Sequence, residues 1–200
     1  MSEFLTFLQL GFRHIVDIEA MDHILFLVAL AAIYRFRDLK KVLWVITAFT
    51  VGHSVTLALA VSGLLTLPSN IIEFLIPVTI VATGVENIVV RDREHAAWGR
   101  YRPVFAGVFG LVHGAGFANY LKALFVDRLA VPLFGFNVGI ELGQVVVLAM
   151  IAGAFLLMDH GIKRLRAADA GWQPLRVRVV AVSALVVVVG SAWAVQRAPW

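Results

Sequence analysis

Four of the six histidines, His14, His23, His53 and His113, lie in or beside long apolar runs, together with Asp17, Asp22, Asn137, Glu141 and Gln144. Neutral imidazoles and carboxylates form a nitrogen and oxygen donor set suited to a divalent transition metal ion such as nickel, zinc, cobalt or copper. Two or three of the histidines with Glu141 or Asp22 would hold such an ion, and His14 would extend the site outward. The chain has no cysteine, so thiolates and disulfides contribute nothing. Burying an ionisable group in a bilayer costs roughly 2.5–3.5 kcal/mol at the low end. A cluster of such groups in apolar runs therefore points to a site inside a membrane.

The elements that must position these residues are long apolar helices. The 200-residue chain is 60% hydrophobic and only 15% charged, with a mean hydropathy of +0.88, which a soluble domain would not carry. Apolar runs between charged connections predict six spans, at about Asp22–Tyr34, Val42–Leu64, Asn70–Val90, Pro103–Phe125, Pro132–Met158 and Val177–Val195, most of them near the ~20 residues a crossing needs. The fold class is an all-α polytopic transmembrane bundle. Residues 1–20 are expected to form an interfacial or partly inserted helix, 21–158 the core helices with the polar site, and 159–200 a cytoplasmic connection and a last helix. No soluble domain or internal repeat is visible.

Thirteen of the 17 basic residues fall in three connections, after spans one, three and five. The positive-inside rule places these connections in the cytoplasm and both termini outside, as for a bacterial inner-membrane protein. The basic runs read as solvated anchors on a bilayer, not as a nucleic-acid surface, despite the sequence pI of 9.9. With that orientation and a rise of 1.5 Å per residue, His53 and Glu141 come about 14 Å below the outer surface and His113 about 18 Å. Asp22 and His23 sit at the outer mouth of span one.

Spacing within helices agrees with depth. Asn137, Glu141 and Gln144 lie along one stripe. Gly135, Gly139 and Gly143 form a parallel ladder on which another helix can approach closely. Thr47, Thr50, Ser54 and Thr56 surround His53 and offer hydroxyls to orient an imidazole or line a polar path. Glu86, nearer the cytoplasmic side, is either a second station on such a path or the partner of Arg91. The competing interpretation of the whole set is that these groups only hydrogen-bond helices to one another.

Four blocks, GFRHIVDIEAMDHILFLVAL, TAFTVGHSVTLALA, FGLVHGAGFANYL and FNVGIELGQ, resemble in order the signature blocks of the HupE/UreJ family of small membrane proteins. The resemblance singles out His14, Asp22, His23, His53, His113, Asn137, Glu141 and Gln144. It implies a nickel or cobalt permease, with the metal ion as substrate. Between His14 and Asp22 the chain has two residues more than the commoner family spacing, and it lacks an HPH-type opening. Two further functions compete with a permease: a membrane-embedded, metal-dependent hydrolase with a zinc-type site open to the outer side, and an accessory subunit that binds no metal. The discriminator is the path, because a permease needs polar access from both sides and an enzyme needs one opening above a closed floor.

Overall fold

The computed structural model describes residues 2–90, 101–124, 130–165 and 173–200. Arg91, Arg93, His95, Trp98, Arg100, Arg128 and Arg166 lie outside the described residues. The described chain is all-helical: α1 (Glu3–Val16), α2 (Met21–Ala31), α3 (Leu39–Val61), α4 (Ser69–Val90), α5 (Arg102–Leu124), α6 (Ala130–Leu165) and α7 (Pro174–Gln196), with short 3-10 turns at Ile18–Ala20 and Phe36–Asp38. Four of these, α3, α4, α6 and α7, are long and apolar enough to cross a membrane. Helix α5 has 23 residues.

The first expected span takes a different form. Helix α2 has 11 residues, about 16 Å of helix, which cannot cross a hydrocarbon core of about 30 Å by itself. It follows α1 across a break in which Asp17 leaves the helix with extended backbone angles (φ −67°, ψ 135°). The N-terminal segment is thus a second short helix, and α1 packs lengthwise on the first half of α6. At the other end of α6, the connection expected from Asp159 begins as helix. Gly161 is tolerated and no proline intervenes before Leu165, so the helix extends to 36 residues, about 54 Å.

Three close helix pairs organise the bundle: α1 with α6, α3 with α5, and α4 with α7. Glycine makes each possible. A Cβ on Gly52 would lie 2.0 Å from the Gly107 carbonyl oxygen, one on Gly110 2.1 Å from that of Phe49, and one on Gly114 2.3 Å from that of His53. Along the expected ladder of α6, a Cβ on Gly139 would meet the Leu8 carbonyl oxygen at 2.1 Å, while Gly11 of α1 stands as close to Phe136. Between α4 and α7, Gly84 and Gly190 instead make room for side chains, since a Cβ there would lie 2.8 Å from a methyl of Val187 and 2.9 Å from one of Val81. In the α1–α6 and α3–α5 pairs backbone touches backbone, and packing replaces the hydrophobic effect, which lipid cannot supply between helices.

The distribution of polarity is that of a membrane protein. His53, His113, Gln144 and Asn87 are buried, whereas Trp44, Val104, Met150, Leu157 and Val188 are exposed on the outward helix faces. A surface of large apolar side chains around a polar interior is stable only where the solvent is itself apolar. The chain is an integral membrane protein.

Substituting Gly110→Ala should force α3 and α5 apart, because the obstructing atom is a backbone oxygen that cannot rotate away. Overpacking of this kind costs about 1–3 kcal/mol. We expect a lower melting temperature in detergent, read by the fluorescence of the native tryptophans. The control Gly161→Ala, whose Cβ meets nothing within 4 Å, should leave it unchanged or raise it slightly.

Candidate metal site

Three of the histidines converge. His14 of α1, His23 of α2 and His53 of α3 each present a ring nitrogen, and these atoms lie within 4.8 Å of one another. The His14 and His23 ring centroids are 4.6 Å apart, and each is 6.1 Å from that of His53. His113 of α5 joins from the other side, 5.3 Å from His23. Two nitrogens that share an ion at 2.0–2.1 Å sit roughly 3–4 Å apart, so small side-chain adjustments suffice for His14, His23 and His53.

The break between α1 and α2 creates this meeting. On one continuous helix, residues nine apart project to opposite faces and are separated by about 13.5 Å along the axis. The extended Asp17 and the 3-10 turn reset both direction and phase, so that His14 and His23 become neighbours. The glycine contacts do the rest. Gly110 and Gly114 of α5 press on the backbone of Phe49 and His53, bringing His53 and His113 to the same level.

The ring nitrogens are short of partners. His14 Nε2, His23 Nε2, both nitrogens of His53 and His113 Nδ1 are buried without a hydrogen-bond partner among the described residues. A buried polar atom left unpaired costs about 1–3 kcal/mol, so four imidazoles in this condition demand an explanation. A metal ion bound by lone pairs supplies one, and the donor set fits it.

Thr79 of α4, which sequence reasoning missed, fixes one of the four. Its hydroxyl donates to the Ile76 carbonyl oxygen at 2.7 Å and lies 3.1 Å from His113 Nε2. A hydroxyl has one proton, so towards the imidazole it accepts. His113 therefore carries its proton on Nε2 and keeps the lone pair on the unpartnered Nδ1. An outer partner that sets the tautomer of a ligating histidine is a common companion of metal sites.

Phenylalanines close the site. Phe117 lies 3.9 Å from the His14 ring and stacks on Phe136 at an interplanar angle of 7°. Phe26 and Phe49 stack on each other 4.8 Å apart and approach the His113 ring at 5.4 and 5.2 Å. On the side of the bundle near the α3–α4 connection, a cavity of about 670 Å³ opens toward the surface. Its lining includes His14, His23 and His113 with Asp17, Asp22 and Glu73. Arg13 and Arg197 stand at the same cavity.

The remaining expected site residues are placed as follows. Asp22 forms an ion pair with Arg197 at 3.0 Å beside His23. Glu141 is half-buried on α6, outside the group of three. Asn137 keeps its Oδ1 buried and without a partner among the described residues. Gln144 is tied to Thr50 at 3.0 Å, which links α6 to α3. Neither Thr50 nor Ser54 orients His53. Thr50 also reaches the Ile46 carbonyl oxygen, and Ser54 donates to that of Thr50 at 2.6 Å, the usual recourse of a hydroxyl in an apolar helix. Glu86 is held by Arg102 and Tyr101, and Arg102 also donates to the Asn87 side chain at 2.6 Å.

Comparison with protein families matches residues 1–197 to the family described as HupE / UreJ protein. The chain belongs to the HupE/UreJ family. Among curated proteins and solved structures nothing matches. The histidines of this HupE/UreJ protein sit in all three leading blocks of the resemblance, and the fold brings those blocks to one point. His14 is the least regular of them in spacing, yet it reaches the centre. The broken helix, not a fixed interval from Asp22, decides where it points.

Two expectations follow. Thr79→Val keeps size and removes the hydroxyl, so the His113 tautomer is no longer fixed. Metal affinity should fall about 10-fold, within the range for loss of such outer partners, as read by calorimetric titration with nickel or zinc. Arg197→Gln releases Asp22 from its ion pair and removes a positive charge from the cavity. It should raise the rate of metal binding several-fold at low ionic strength and have little effect in high salt.

Proposed function

We propose that this protein is a permease for a divalent transition metal ion of the nickel type. The ion enters from the side bearing the 670 Å³ cavity, which the positive-inside rule makes the outer side. The observation that carries this reading is the convergence of the buried, unpartnered nitrogens of His14, His23 and His53 within 4.8 Å, on three helices of a membrane bundle. Membership of a family associated with nickel and cobalt transport supports it. Asp17, Asp22 and Glu73 attract the cation to the cavity. His14, His23 and His53, with His113 beside them, replace its hydration shell. Ligands must be deprotonated to bind, so acidification weakens binding and release can be coupled to protonation of the imidazoles.

The floor beneath the site bears on the mechanism. Phe26 and Phe49 stack below His113, and farther along the bundle Glu86 is engaged by Arg102 and Tyr101. For a permease this arrangement is the state accessible from one side. Delivery requires the phenylalanine pair to separate and the Glu86 cluster to open. The same closed floor favours, as a second reading, a membrane-embedded metal-dependent hydrolase open on the same side. In it the histidines would hold a zinc-type ion with one position left for water.

Transport by purified protein in sealed vesicles containing a metal-sensitive dye separates the readings. A permease gives a dye response that is lost in the His53→Ala/His113→Ala double variant and falls as external pH is lowered, because the imidazoles must be unprotonated to bind the ion. Metal bound stoichiometrically without any vesicle filling would sink the permease and leave the enzyme. Absence of both binding and filling would leave an accessory subunit.

A further inference from the structure

A cavity larger than the one at the histidines lies elsewhere in the bundle. It lies near the α2–α3 connection and measures about 850 Å³, within the range of about 300–1,000 Å³ usual for ligand pockets. Its walls come from α2, α3, α6 and α7. Its lining changes character along its length. From Val145 through Leu148, Ala149, Ala152 and Gly153 of α6 it is apolar, and at the other end stand Arg35, Asp159, Lys163 and Arg178.

Three observations narrow what it takes. First, Gly153 has open space where its Cβ would be, with nothing within 4 Å. Gly11, Gly52, Gly110, Gly114 and Gly139 are each pressed by a neighbouring backbone, whereas the groove beside Gly153 is room. Second, the charged rim is net positive among the described residues. Arg178 is buried and spends its guanidinium on Asp159, on the Tyr34 carbonyl oxygen at 2.7 Å and on that of Ala32 at 3.3 Å. With Asp159 balanced by Arg178, Arg35 and Lys163 supply the excess charge, and both are exposed. Third, from Lys163 to Val145 the groove runs about 27 Å along α6. One leaflet with its headgroups is ~20–22 Å deep, so the groove is at least as long as a leaflet is deep.

A groove that is cationic at the bilayer surface, apolar toward the midplane and at least as long as a leaflet is deep is complementary to an amphiphile with a negative head. We propose that it binds one anionic glycerophospholipid, with the phosphate between Arg35 and Lys163 and the acyl chains along Ala149, Ala152 and Gly153. A helix from a second copy would present apolar side chains at both depths and leave the two cations without a complement. The lipid lies against α2 and α3, which carry His23 and His53, so it braces the helices that position the histidines. The inference stands apart from the metal site and holds whatever that site does.

Intact-protein mass spectrometry of the purified chain in detergent tests it, with palmitoyl-oleoyl phosphatidylglycerol and phosphatidylethanolamine added in separate titrations. We expect one phosphatidylglycerol retained per chain and weaker retention of phosphatidylethanolamine. At the usual contribution of a basic residue near an anionic lipid surface, Arg35→Ala/Lys163→Ala should weaken phosphatidylglycerol binding about 30-fold and remove the preference. Gly153→Phe should weaken both lipids. Equal retention of the two lipids by the wild type, or an unchanged preference in the double variant, overturns the proposal. Should Gly153→Phe fail to fold, the Arg35/Lys163 pair still decides, because both side chains are exposed. The chain has no cysteine, so Gly153→Cys gives a single thiol. Efficient disulfide-linked dimers of that variant in lipid vesicles would assign the groove to a second copy instead.

Discussion

Backbone contact at glycine is the constraint on which the rest of this structure depends. In a bilayer the hydrophobic effect does not drive helices together, and what holds them is van der Waals contact at short range. The α3–α5 and α1–α6 pairs reach that range because Gly52, Gly110, Gly114, Gly11 and Gly139 have no side chain to hold the partner backbone away. His53 and His113 are carried on one of these pairs and His14 on the other. Each step outward by α5 or α1 would move an imidazole out of reach of its neighbours. The glycines therefore govern both the stability of the bundle and the geometry of its polar centre.

That centre is expensive, and the surrounding residues keep it so. Phe26, Phe49, Phe117 and Phe136 surround the imidazoles with rings that make no ordinary hydrogen bond to them, and Thr79 satisfies only His113 Nε2. A cluster that existed merely to fasten helices would pair its nitrogens across the interface, as Thr50 and Gln144 do between α3 and α6. Here the nitrogens face one another instead. Identical donors and acceptors in that arrangement are poor glue and good ligands. The cavity on one side and the stacked phenylalanines on the other then give the centre a direction.

Three carboxylates elsewhere in the bundle are satisfied in a different way, and the contrast is informative. Glu86 has Arg102 and Tyr101, Asp159 has Arg178, and Asp22 has Arg197. Each pair joins two helices, and the first two lie toward the end of the bundle carrying the basic connections. Opposite charges close in a low-dielectric setting compensate much of one another's desolvation. The histidines make no such ion pair, and on the proposed reading a cation arriving from outside completes their unpartnered nitrogens.

Much of this was legible in the chain. Hydropathy and the absence of soluble stretches dictate an all-helical membrane bundle, because a backbone in lipid must satisfy itself within each helix. Intramembrane histidines are conspicuous by their cost, and glycines spaced four apart announce a close helix contact; both read directly from residue type and interval. What the sequence could not decide is where the helix breaks and which side chains then meet. His14 and His23 face each other only because the chain bends at Asp17–Ala20, and no proline or glycine marks the bend. Thr79, thirty-four residues from His113, carries no local sign of its role. The pairing of Glu86 with Arg102 depends likewise on how α4 and α5 pack. Residue chemistry and period are properties of a segment, whereas tautomer, partner and enclosure depend on atoms that distant segments bring together.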